Sequence, residues 1–423
     1  MRTSTLSLLA LAAAARAADP VVQTGPGWFM PEEGDAHKRT WMGFGPTADV
    51  WGDSLLPIVR ANLVSIATAI AAHEPVSFLV RADDMAELKG LVANATGDNA
   101  ALSANITLVE AKLDDLWLRD TGPTFVRAAN GTSTGGVDFN FNGWGNKQEH
   151  KDDATVAQQV TEIAGVQRVT TKLVLEGGAL EVDGNGTAII TESYDNRNPG
   201  WTKEQVEQEL KFLIGAQKIV WLPGIKGKDI TDAHTDFYAR FVSPGQVVAA
   251  YDPNPESYDH NVTLAHLDIL RNATDAYGRP LNVTVLTAPT KLRPLSEGKN
   301  AENFAAGYIN YYVANGAVIA PQFGDDEADA KARDTLQSLY PGRTVVTLDI
   351  DGIAAGGGGI HCSTQQEFRH DGGAAVNATG PATGVPSASA SASASATGQG
   401  SGAGRAGVPA AAAVVLAALA LLL

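Results

Sequence analysis

The 423-residue chain contains a single cysteine, Cys362. It closes the run Ala354-Ala355-Gly356-Gly357-Gly358-Gly359-Ile360-His361-Cys362. One cysteine cannot form an internal disulfide, so it serves either through its thiol chemistry or by packing. The four glycines permit tight turns and a close approach of backbone to a ligand, which makes Gly359 a candidate for substrate contact. A free thiol beside a histidine after such a loop is a candidate nucleophile, and a buried inert thiol is the alternative.

Three polar clusters could work with the thiol. In Asp115-Leu116-Trp117-Leu118-Arg119-Asp120-Thr121-Gly122-Pro123, Trp117 could stack on a flat cation and Asp120 could take paired hydrogen bonds from a guanidinium. The alternative is a strand end where Arg119 pairs with a carboxylate for structure. In Leu175-Glu176-Gly177-Gly178, Glu176 could sit at a site wall or merely in a hairpin. In Thr231-Asp232-Ala233-His234-Thr235-Asp236, a strand would project His234 and Asp236 to one face, setting a proton carrier beside an anion. The same pair could be two metal ligands, although the histidines near Cys362 do not form a zinc spacing.

Elements must position these groups. Residues 55–72 have helical periodicity and Val76–Val80 reads as a strand. Thr202-Lys203-Glu204-Gln205 is a capping box that opens a helix, Gly215 closes it, and a strand follows over 219–222. Strands are predicted over 246–251, 281–286 and 344–350, and a helix over 325–339. This alternation predicts an α/β protein. No fixed-period repeat is visible. The three clusters are expected where strands end.

The ends carry processing signals. Residues 1–17 have Arg2, an apolar Leu and Ala run and a small-residue exit, the layout of a signal peptide. Residues 371–400 include the Ser/Ala alternation of a flexible stalk, and 401–423 pair small residues with an apolar tail in the order of a GPI-anchor signal that would be removed. Sequons begin at Asn94, Asn105, Asn130, Asn185, Asn261, Asn272, Asn282 and Asn377. Together these predict a secreted glycoprotein held at the cell membrane through a GPI anchor. The net charge of −16, with scattered basic residues, argues against nucleic acid as a partner and mildly favours a cationic small molecule. No linker interrupts the region between, so 25–370 reads as one domain.

The clusters, in this order, resemble the agmatine deiminase and bacterial-type peptidylarginine deiminase family of guanidino-group-modifying enzymes. The resemblance runs over about residues 29–367 and includes MPEEGDAHKRTWMGF, WLRDTGPTFV, FNFNGWGNK, LEGGALEVDGNGT, NRNPGWTKEQ, TDAHTD, YINYYVANGAVIAPQFGD and GGGGIHCSTQQ. It implies the five-bladed α/β-propeller known as the pentein fold. It also implies Cys362 as nucleophile, His234 as general acid and base, Asp120 and Asp236 as the grip on the guanidinium, Glu176 as a polarising carboxylate and Trp117 as a wall. It implies no cofactor and no metal. The expected reaction turns a guanidinium into a ureido group plus ammonia, agmatine giving N-carbamoylputrescine. The alternatives are citrulline formation on peptidyl-arginine or free arginine, an inactive binding protein on the same scaffold, and a metal-dependent hydrolase.

Two positions depart from the family pattern. Ile230 stands where an acidic residue is expected before the histidine, so the substrate's tail could differ. Gly34 replaces a usual tryptophan and is expected to open one side of the site.

Overall fold

The computed structural model describes residues 27–131, 133–294 and 304–370. The expected signal peptide, stalk and anchor signal lie outside the described residues.

Five small sheets build the fold. Four of them are read in chain order from one strand. The strands Thr124–Ala128, Leu180–Val182, Ala239–Ser243 and Tyr312–Ala314 each turn back antiparallel into Thr134–Asp138, Thr187–Thr191, Gln246–Tyr251 and Ala317–Gln322. A helix then crosses over to a parallel outer strand at Gln167–Thr170, Lys218–Leu222, Asn282–Thr287 or Thr344–Asp349. Each sheet with its helix is one blade of the five-bladed α/β-propeller.

The remaining blade is assembled from both ends of the described chain. Its first strand, Thr364–Phe368, pairs antiparallel with His37–Phe44, which lies parallel to Val76–Val80 and then Ile106–Glu110. The C-terminal strand therefore closes the ring, and it carries Cys362 just before its start.

The local chemistry of these elements is legible. The helix Lys203–Ile214 starts at the Thr202–Gln205 capping box and ends on Gly215 in the left-handed conformation at φ 72. The helix Asp326–Leu339 is capped by the Asp325 side chain, which accepts from the Ala328 N–H. The longest helix, Ala48–Ala71, bends at Gly52, where φ is 70. That bend turns Trp51 inward, so that its indole lies 5.9 Å from that of Trp117. The strand and helix expectations above match these elements to within a few residues, with the long helix beginning earlier than its periodicity showed. The repeat was invisible in sequence because each blade has its own loop lengths and shares no fixed spacing.

Candidate active site

Each first strand is preceded by a short turn, and the site is built from those turns. Asp120 lies in the four-residue helix Leu118–Thr121 before Thr124–Ala128. Glu176 precedes the turn Gly177–Ala179 before Leu180–Val182. His234 is extended and Asp236 follows in the turn Thr235–Phe237 before Ala239–Ser243. Asn310 and Cys362 stand two residues before the first strands of the last two blades. The clusters thus sit where strands begin, which corrects the expectation that they fall at strand ends. His234 and Asp236 come together through an extended residue followed by a 3-10 turn, not as alternate residues of one strand. Asp232 and Ala233 ahead of them have φ of 60 and 77, a backbone L-residues rarely adopt, which aims the histidine inward.

The structure gathers the candidate side chains. Asp120 accepts from the Trp144 indole N–H through Oδ2 at 2.9 Å and from the Gly178 N–H through Oδ1 at 3.0 Å. The His234 Nε2 is 3.2 Å from a Glu176 oxygen, and that carboxylate is clamped by Arg197 Nε at 2.8 and 2.9 Å. The Cys362 Sγ lies 3.5 Å from Asp236 Oδ2 and receives the Asn310 amide at 3.3 Å. All of these side chains are buried. Gly178 makes the arrangement possible: a Cβ there would come within 2.6 Å of His234 Nδ1, 2.8 Å of Asp120 Oδ1 and 3.2 Å of Asp236 Oδ2.

A pocket of about 150 Å³ opens onto this cluster. Its lining includes Cys362, His234, Asp120, Trp117, Trp144 and Asp115 on the polar side, and Val50, Trp51, Leu55, Ile230 and Phe237 on the apolar side. Gly356, Gly357 and Gly358 complete one wall, where a Cβ on Gly358 would stand 2.1 Å from the Trp117 ring. Gly359 packs against Asn310 and its backbone hydrogen-bonds the Cys362 thiol, and it is not among the lining residues. Gly34 lies beside Glu32 and Arg343, so the missing tryptophan opens no part of this pocket. Asp236 and Glu176 are also outside the lining, one step behind it.

Burial and the three carboxylates dominate the electrostatics of the site. Burial pushes the Asp120 carboxyl up, with Glu176 and Asp236 adding to it against the pull of His234. Burial opposes charge on His234, yet Asp120, Glu176 and Asp236 outweigh it and raise its pKa to about 9. Burial also works against ionised Asp236, but His361, His234 and Arg240 hold its carboxyl below the ordinary range. Burial, Asp236 and Asp120 push the Cys362 thiol well above its usual value. Two buried polar atoms of the cluster, His234 Nδ1 and Asp236 Oδ1, have no hydrogen-bond partner, which is rare without a function for the group.

Several contributors were missed in sequence. Asn310 holds the thiol, and its Oδ1 accepts from the His361 and Cys362 N–H groups at 2.9 and 3.3 Å. Trp144 fixes Asp120, Arg197 fixes Glu176, and neither carried a local signal beyond its place in a motif. Arg119 does not pair with Asp120; it reaches Gln365, Gln366 and Glu33. His361, although next to the thiol in sequence, turns its ring the other way, toward Asp236 and Glu33. Among the described residues no group of three or more His, Cys, Asp or Glu side chains is arranged to hold a metal ion.

Comparison with known proteins places this arrangement. A family model described as Porphyromonas-type peptidyl-arginine deiminase matches residues 29–367. An agmatine deiminase of Stutzerimonas stutzeri is 36% identical over 363 residues, 81% of this chain and 95% of its own length. One from Ectopseudomonas mendocina has the same identity and coverage. A solved agmatine deiminase of Enterococcus faecalis superposes with a TM-score of 0.74 at 31% identity, covering 84% of this chain and all of its own.

Proposed function

Because this chain belongs to the agmatine deiminase and Porphyromonas-type peptidyl-arginine deiminase family and is a hydrolase of amidine C–N bonds, we propose that it deiminates a small guanidine, agmatine first, with Cys362 as nucleophile. The observation that carries the proposal is the convergence of Cys362, His234 and Asp120 on one pocket, with Asp236 directly behind them and its Oδ1 without a partner.

The guanidinium is planar, cationic and a poor electrophile. Asp120 and Asp236 bind its nitrogens, fix its plane and hold its charge. Its arrival neutralises the two carboxylates that hold the thiol protonated, so once substrate is bound the thiol gives its proton to solvent and the thiolate forms; that proton ends on the released ammonia. Sγ attacks the central carbon, a C–N bond breaks, and His234, charged at neutral pH, protonates the departing ammonia. Glu176 keeps the imidazolium oriented, and Arg197 keeps Glu176 in place. Water, giving its proton to the now neutral His234, then hydrolyses the thiouronium. The sum is R–NH–C(NH2)2⁺ plus water giving R–NH–CO–NH2 plus ammonium.

The walls bear on the tail. No Arg or Lys is among the described lining residues, so the pocket offers the carboxylate of free arginine no partner of opposite charge. The one further acid, Asp115, is engaged by the Trp51, Leu116 and Trp117 N–H groups at 2.8, 2.9 and 3.1 Å. A pocket of about 150 Å³ is also small beside the roughly 300–1,000 Å³ typical of sites for larger ligands. These points favour agmatine over arginine and over peptidyl-arginine. Ile230 at the wall gives the distal amine no anion, and the amine is left to solvent.

The experiment is turnover of agmatine in ¹⁸O-water with mass analysis. The proposal expects one heavy oxygen in N-carbamoylputrescine; unlabelled product or none would refute it.

We also read the protein as an enzyme of the cell surface. The support is the two end signals together with exposed sequon asparagines such as Asn94, Asn261, Asn272 and Asn282. Release from intact cells by a phosphatidylinositol-specific phospholipase, with a mass drop on deglycosylation, is the expected result. Retention inside the cell would contradict it.

A further inference from the structure

Asp120 and Asp236 are held very differently. Asp120 has two independent donors, the Trp144 indole and the Gly178 amide. Asp236 Oδ2 has one short contact, the His361 Nδ1 at 2.7 Å, and a long one to the Cys362 Sγ at 3.5 Å, while Oδ1 has none. A carboxylate turns freely about its Cβ–Cγ bond, so a single imidazole fixes the plane of Asp236.

That imidazole is itself anchored. Its Nε2 lies 2.7 Å from Glu33 Oε2, and the ring is 1% exposed. Glu33 comes from the Pro-Glu-Glu segment near the N-terminus, which the reaction above does not use. It is clamped by Arg240 at 2.8 Å, Arg119 at 3.2 Å and the Val313 N–H at 2.9 Å, donors from three other parts of the ring.

We propose that His361 is a positioning residue: bridging Glu33 and Asp236, it locks the Asp236 carboxylate with Oδ2 on the imidazole, so that Oδ1 stays free for the guanidinium. Without the ring, the carboxylate would turn about its Cβ–Cγ bond and the second arm of the cation grip would be lost. The inference rests on reading Asp236 as a guanidinium-binding group.

Two conservative variants of the full-length enzyme separate the two contacts. The amide of His361→Asn reaches the Nδ1 position and keeps Asp236 while losing Glu33. The amide of His361→Gln reaches the Nε2 position and keeps Glu33 while losing Asp236. The readouts are kcat and KM for agmatine, and agmatine affinity by calorimetry in a Cys362→Ala background. His361→Asn is expected to retain kcat/KM within about tenfold, and His361→Gln to lose roughly 100-fold, with agmatine binding weakened at least about tenfold in the Gln protein only. Equal losses in the two variants, or the better activity in Gln, would overturn the inference and leave His361 a packing residue. Failure of the unsubstituted or Cys362→Ala protein to bind agmatine would overturn the reading of the site as well.

Discussion

At the scale of residues, the proposed mechanism makes the site a charge balance that its substrate completes. Three buried carboxylates, Asp120, Glu176 and Asp236, face His234 and one thiol, and only Glu176 has its own arginine. Asp236→Asn removes an anion that raises the thiol, so it should make Cys362 easier to alkylate with iodoacetamide at pH 8 while abolishing turnover. Slower alkylation in that variant would contradict the balance. In the proposed mechanism His234 sets the alkaline limb. With its pKa raised to about 9, the proton for the leaving ammonia is present at neutral pH, and kcat/KM for agmatine should fall as pH rises through about 9. The same shift makes His234 stabilise the fold fully below its ordinary value near 6.5 and lose that contribution as pH rises through about 9. A kcat/KM profile that keeps rising past pH 10 would remove His234 from the acid role.

At the scale of elements, short turns before the first strands deliver the chemistry, and glycines let them meet. Gly178→Ala would drive a methyl group into His234, Asp120 and Asp236 at once. It should cut kcat/KM roughly 100-fold with little change in circular dichroism, and an active variant would show that the cluster has more room than its distances allow. These turns also mark what was legible beforehand. The capping box at Thr202, the Gly215 stop and the strand Val76–Val80 were plain because local hydrogen bonding and periodicity decide them. Cys362, His234, Asp120, Asp236, Glu176 and Trp117 were singled out through motifs, and the structure brings them together. Their placement at strand starts was not found, since turns of three or four residues have no periodicity. Asn310 and Trp144 were missed for a related reason: an amide and an indole become site groups only through partners 52 and 24 residues away in sequence.

At the scale of the whole molecule, the ring is held at its centre by buried charge. Arg240 donates to Glu33 at 2.8 Å, to Glu181 at 3.0 Å and to the Tyr311 carbonyl at 2.6 Å, joining neighbouring blades while fully buried. Removing one partner of such a network strands the others, so Arg240→Ala should cost about 3–5 kcal/mol, read from the denaturant midpoint. A loss below about 1 kcal/mol would mean that the apolar clusters alone hold the blades together. The last strand, Thr364–Phe368, closes the ring on His37–Phe44 and fixes Cys362 in the same step. One strand therefore both closes the ring and positions Cys362.

The central claim is a cysteine-dependent deiminase of a small guanidine. The most direct test is ammonia release by the purified protein, in the presence of reductant, from agmatine, free arginine and a C-terminal-arginine peptide in parallel, beside Cys362→Ala. The account predicts release from agmatine well above the other two, falling at least about 10³-fold in the variant. Release from the peptide alone, or release from agmatine that survives Cys362→Ala, would contradict it.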